Sequence, residues 1–166
     1  MKLSSLVKSV MPAAVVSILA LGLAPMSAFA GTATANMAVS VTVNSNCTIS
    51  ANALGFGTYT GAVNQATTTL SVQCTNTTPY NVGLSAGATT NATVTTRQML
   101  NGTAALNYTL TTSSYTGTNW GNTSGSWVGG TGNGNAQTLT VYGQIPAGQF
   151  VTPGSYADTV VATVNY

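Results

Sequence analysis

The chain is 166 residues long, 44% hydrophobic and 2% charged, with three Lys/Arg, one Asp/Glu and no histidine. An ordinary soluble domain is about a quarter charged, and this inventory excludes most enzymes: acid–base pairs, nucleophilic triads and His- or carboxylate-based metal centres lack their side chains. A formal charge of +2 is too sparse to meet a row of phosphates, so nucleic acid is no expected partner; no cofactor and no metal are expected either.

Lys2 and Lys8 open the chain, an apolar run follows from about Val10 to Ala24, and Ala28-Phe29-Ala30 closes it. This is the layout of a secretory signal peptide, residues 1–30, cleaved after Ala30. The run is too short to span a bilayer and no stop-transfer charges follow it, so no membrane anchor is expected after cleavage. Cleavage removes both lysines and leaves Arg97 and Asp158 as the charged side chains. Export also sets the redox compartment. Cys47 and Cys74 are an even pair in a secreted chain and are expected to form a disulfide. Closing a loop of about 27 residues stabilises by roughly 3.5 kcal/mol in the chain-entropy model.

Thr, Gly and Asn are poor helix formers, and no 3.6-residue apolar period appears after residue 30. Alternation with period two runs throughout. It is cleanest over 33–44, where Ala33, Ala35, Met37, Val39, Val41 and Val43 are apolar and the residues between them are polar except Ala38. From periodicity alone two outcomes stay open for this segment. It folds back as the domain's own first or last strand, or it adds to the sheet of another molecule. Further candidate strands are Cys47–Ser50, Thr68–Cys74, Tyr80–Ala86, Leu106–Thr112, Gln137–Gln144 and Tyr156–Tyr166. In the last, Val160, Ala162, Val164 and Tyr166 share a face, and with no following strand it is expected to leave an open edge. Turn signals separate the strands: Leu54-Gly55-Phe56-Gly57, Gly61, Pro79, Gly87, Asn101-Gly102 and Pro153-Gly154. Short alternating strands at this spacing predict an all-β fold, a single two-sheet sandwich.

Residues 113–136 read as a long Gly/Asn/Ser loop. Its glycines do not make a phosphate loop, since no Lys and no helix follow. Tyr115, Trp120 and Trp127 are candidates for a sugar-stacking platform; the alternative is that Trp120 covers an edge of the core and the rest is solvent loop.

Several ordered motifs carry a family resemblance. Cys47-Thr48-Ile49-Ser50, Phe56-Gly57-x-Tyr59 and Cys74-Thr75 open the set, followed by Arg97-Gln98-Met99, Leu106-Asn107-Tyr108-Thr109-Leu110 and Asn119-Trp120-Gly121. Val141-Tyr142-Gly143-Gln144-Ile145-Pro146-x-Gly148-Gln149 and Pro153-Gly154-x-Tyr156-x-Asp158-Thr159 close it. Together they resemble the spore coat protein U domain family, which is similar to the subunits of archaic chaperone–usher pili. The resemblance implies an immunoglobulin-like sandwich, residues 47–166, missing its last strand. It implies that a periplasmic chaperone fills the groove, and that the N-terminal extension of the next identical subunit replaces it at an outer-membrane usher. On that reading residues 31–46 are the donor extension, with Met37, Val39, Val41 and Val43 as its apolar row. Val160, Ala162, Val164 and Tyr166 mark the groove edge that faces the chaperone. The implied function is that of a shaft subunit of a surface pilus, secreted through the periplasm, for attachment and biofilm formation. The alternatives are a secreted glycan-binding module and a non-fibrous coat or matrix protein.

Overall fold

The computed structural model describes residues 30–166; the expected secretory leader therefore lies outside the described residues except for Ala30. The described chain falls into two units, the first ending at Ser40 and the second running from Val41 to Tyr166. In the first, residues 30–40 carry no helix, strand or turn, and each is exposed.

The second unit is built from strands, and no α-helix occurs among the described residues. In chain order these are β1 (Cys47–Ala51), β2 (Asn64–Cys74), β3 (Pro79–Leu84), β4 (Arg97–Asn101), β5 (Ala104–Thr111), β6 (Val128–Thr131), β7 (Ala136–Ile145) and β8 (Ala162–Asn165). They form a five-stranded sheet, β1-β2-β7-β5-β4, and a three-stranded sheet, β6-β3-β8. Every pairing is antiparallel. This is an all-β, immunoglobulin-like sandwich.

Alternation explains the packing. Leu70, Val72 and Cys74 of β2, Leu106, Tyr108 and Leu110 of β5, and Val141 and Ile145 of β7 point inward from the first sheet. Tyr80, Val82 and Leu84 of β3 meet them from the second. The outward positions of β2 are Thr, Ser and Gln, and those of β7 are Thr and Gln with Ala136 and Tyr142, a largely polar face that needs no partner. The first residue of β1 and the last of β2 are register partners, Cys47 and Cys74, and they are joined by a disulfide.

The structure differs from the predicted elements at four places. Residues 33–44 form no strand despite their alternation; a strand exists only as part of a ladder, and among the described residues this segment has none. The final strand is shorter than Tyr156–Tyr166. Ala157 bridges Leu100 of β4 in the first sheet, whereas Ala162–Asn165 pairs with β3 in the second, so the chain changes sheets between them. β4 and β6 were not among the candidates. The inward positions of β4 include Arg97 and Asn101, which break the apolar pattern, and β6 reads Val-Gly-Gly-Thr inside the predicted loop.

Candidate functional site

The second unit has an open side. Among the described residues β8 is bonded to β3 alone, and β1 is an edge strand of the other sheet. These two edges run close to each other. Their continuations, residues 52–61 after β1 and 150–161 before β8, bound a trough.

The first wall is Asn52–Gly61. Leu54, Phe56 and Tyr59 are half-buried against the core, with exposed residues between them. Its carbonyls are held from below. Thr68 Oγ1 donates to the carbonyls of Asn52 and Ala53 at 3.0 and 3.1 Å, and Asn64 Nδ2 donates to those of Phe56 and Thr58 at 2.9 and 3.1 Å. The hydroxyl of Tyr59 donates to the Pro146 carbonyl at 2.6 Å. The amides of residues 53–60 meet no acceptor among the described residues. The wall is therefore a fixed run of backbone with free donors. Gly143 of β7 makes room for it, because a Cβ there would lie 2.6 Å from Leu54 Cδ2 and 2.8 Å from Phe56 Cζ.

Between the walls lie two hollows of about 730 and 570 Å³ that share Leu54, Phe56, Met99 and Tyr156. The smaller is floored by Leu70, Leu84, Leu110 and Val141 and rimmed by Val160 and Ala162. The trough thus offers apolar pockets beneath unpaired backbone, the two things an incoming strand requires.

One polar pin holds the point where the chain changes sheets. Asp158 Oδ1 accepts the amides of Ala88 and Thr159 at 2.7 Å each, and Oδ2 accepts the Tyr108 hydroxyl at 2.6 Å. Burial first, then the hydrogen bond to Asp158 and its negative charge, push the Tyr108 phenol well above its ordinary value, so it stays a donor. Gly87, at φ +96°, lies where any Cβ would meet Asp158 Oδ2. Opposite Tyr108 in register stands Arg97, fully buried. Its guanidinium donates to the carbonyls of Ser85 at 2.9 Å, Val94 at 2.8 Å, Leu84 at 3.2 Å and Trp120 at 2.6 Å. Burial lowers its pKa, against the raising effects of Tyr108 and Asp158. Both charges left after residue 30 are thus used inside the fold. Among the described residues no cluster of His, Cys, Asp and Glu could hold a metal ion.

The sequence-derived positions separate clearly. Met37, Val39, Val41 and Val43 are 84, 82, 87 and 79% exposed. Val160 and Ala162 line the trough, Val164 faces the core opposite Val82, and Tyr166 lies past β8, largely exposed. Of the two readings open for Trp120, the structure gives the core one. Trp120 is in the core, where its Nε1 donates to the Val82 carbonyl at 2.8 Å. A buried indole that has spent its N–H cannot offer a face to a sugar. Trp127 is half-buried, and Tyr115 stands edge-on to Tyr142 at 5.4 Å. The sequence predicts a turn at Leu54 and Phe56, because the Gly55 and Gly57 that alternate with them outweigh the two-residue period; the structure has an extended wall there.

The Spore Coat Protein U domain model matches residues 33–163. Protein U of Myxococcus xanthus is 38% identical over 155 residues, which cover 82% of this chain and 87% of that protein. Among solved structures, the fold is similar to a chain in the CsuC–CsuE chaperone–tip adhesion subunit pre-assembly complex from the archaic chaperone-usher Csu pili of Acinetobacter baumannii. The TM-score is 0.53 at 24% identity, over 75% of this chain and 40% of that one. The chain thus spans less than half of that structural relative.

Proposed function

Since the chain belongs to the spore coat protein U domain family, we propose that it is a structural shaft subunit of an extracellular chaperone–usher pilus, serving attachment and biofilm formation. It is a structural protein, not an enzyme. In this reading residues 1–30 are a signal peptide, 31–46 a donor extension and 47–166 the acceptor domain. The observation that carries it is the coexistence in one chain of an open trough and an unpaired apolar row. The trough has free backbone on one wall and a one-sided strand on the other. The row, Met37, Val39, Val41 and Val43, is exposed throughout.

In this reading polymerisation is a matter of geometry. A strand that leaves one molecule and enters another makes a contact that does not close on itself, and so builds a fibre. Backbone hydrogen bonds supply affinity and the alternate side chains supply register. Fully burying the four side chains of the row contributes at most about 6–12 kcal/mol, comparable with the stability of a whole domain. Before assembly the trough needs a temporary occupant. A periplasmic chaperone takes that part, and an outer-membrane usher exchanges it for the next subunit's extension.

Deletion of residues 31–44 tests the reading. The intact chain is expected to give a ladder resistant to SDS without boiling and thin filaments under the electron microscope, and the deleted chain to give chaperone-dependent monomers. A deleted chain that polymerises as before rules out the donor assignment.

A further inference from the structure

Arg97 is the one lysine or arginine between residues 31 and 166. Arginine is almost never fully buried, yet this side chain has 0% exposure. The loops 85–96, 112–127 and 132–135 connect strands at the surface, where proteases normally nick a folded chain, and none of them holds a lysine or arginine.

The backbone around Arg97 is closed as well. A protease of the trypsin type draws its substrate's basic side chain into an acidic pocket, and it needs the flanking backbone free of other hydrogen bonds. Residues 97–101 are β4, paired along their length with β5 from Arg97 opposite Tyr108 to Asn101 opposite Ala104. On the other edge Leu100 exchanges both backbone hydrogen bonds with Ala157, at 2.9 and 3.1 Å. The Gln98 carbonyl accepts Thr89 Oγ1 at 2.9 Å, and Gln98 Nε2 donates to Asn107 Oδ1 at 2.9 Å. Reaching the Arg97–Gln98 bond therefore means stripping β4 from its neighbours and drawing the guanidinium off the carbonyls of Leu84, Ser85, Val94 and Trp120. That is unfolding of the sandwich rather than fraying of a loop.

The place of the disulfide decides what a cut there does. Cys47 and Cys74, the two cysteines of the chain, both precede Arg97 and are bonded to each other. Hydrolysis adds water across the Arg97–Gln98 amide, leaving a carboxylate on Arg97 and an amine on Gln98, and no covalent link joins the products. β1, β2 and β3 go with one product, and β5, β6, β7 and β8 with the other. Both sheets are shared between the two, through β2 with β7 in one and β3 with β6 and β8 in the other. Neither product can rebuild the sandwich alone.

We propose that Arg97 is a fold-gated cleavage site: an arginine-directed endoprotease leaves the folded domain intact and removes unfolded copies of it by one irreversible cut. This stands apart from strand exchange, since it needs neither the trough nor residues 31–46.

Trypsin is the probe. The processed chain, its Val72→Asp variant and the Val72→Asp/Arg97→Met double variant are digested side by side in buffer, and the unsubstituted chain again across a urea series. In buffer the unsubstituted chain is expected to be cut at least about a thousandfold more slowly than Val72→Asp, because cleavage follows the population of the open form. Val72→Asp is expected to give two products that part at residue 97 and separate without a reducing agent, while the double variant stays whole. In urea, cleavage of the unsubstituted chain is expected to keep step with the unfolding transition read by tryptophan fluorescence. Equal cutting of the unsubstituted chain and Val72→Asp in buffer, cleavage in urea well ahead of the transition, products that stay joined without reductant, or an unfolded chain that stays whole each overturns the proposal.

Discussion

β2 and residues 33–44 carry the same period-two message with opposite outcomes. In β2, Leu70, Val72 and Cys74 alternate with polar residues, β1 and β7 flank the strand on either side, and these side chains are at most 3% exposed. In residues 33–44, Met37, Val39, Val41 and Val43 alternate as cleanly, yet each is at least 79% exposed and no ladder forms among the described residues. Alternation records the capacity to be a strand. Neighbours on both edges decide whether that capacity is used inside one molecule or held for another.

The same substitution made in the two regions separates these roles most sharply. Val72→Asp places a lone carboxylate among core side chains with no cation to meet it. It is expected to cost on the order of 5 kcal/mol and to leave no cooperative thermal transition. Val41→Asp is expected to leave that transition within about 0.5 kcal/mol of the parent chain and to abolish the SDS-resistant ladder. A Val41→Asp chain that still gives the ladder would show that the exposed row is not the strand being shared.

Next in size is Arg97. Four carbonyls from three stretches of chain converge on its guanidinium, and Arg97→Met leaves them buried without a donor. Denaturant unfolding is expected to show a loss of about 3–5 kcal/mol. The disulfide comes third. The Cys47→Ala/Cys74→Ala chain is expected to lose roughly 3.5 kcal/mol and to be captured less well by a chaperone. Unchanged capture would mean that the join between β1 and β2 is made by the ladder alone.

The smallest effect is a pH dependence. The Tyr108 phenol is held above its ordinary value of 10.0 in the folded state, so above that value the unfolded chain gives up the proton first. Stability is then complete below about pH 10 and falls as the pH rises through the folded value. Tyr108→Phe is expected to flatten that fall while costing about 1–2 kcal/mol at neutral pH. A slope above pH 10 identical in the two chains would place the titration elsewhere.

Much of the sandwich was legible because its core strands alternate without interruption: β2, β3, β5 and β7 fall on predicted segments, and the cysteine pair is bonded. β4 is not legible because its inward positions include Arg97 and Asn101, and the carbonyls of Leu84, Ser85 and Trp120 that receive the Arg97 guanidinium lie too far along the chain for a local pattern to reveal. β6 escaped because two of its four residues are glycine. The trough wall at Leu54 and Phe56 was hidden in the same way, its glycines reading as turns while Asn64 and Thr68 hold it straight from a neighbouring strand. For Trp120 the Gly, Asn and Ser around it leave both a sugar platform and a core edge open, and only tertiary contact shows that its ring is spent on the core.

Amide hydrogen exchange across residues 36–43, followed as the processed chain is concentrated, tests the shared strand most directly. These amides are expected to exchange freely in monomers, to become protected as fibres grow, and to stay unprotected in Val41→Asp at every concentration. Protection already complete in a solitary chain, or its absence from well-formed fibres, would contradict the account.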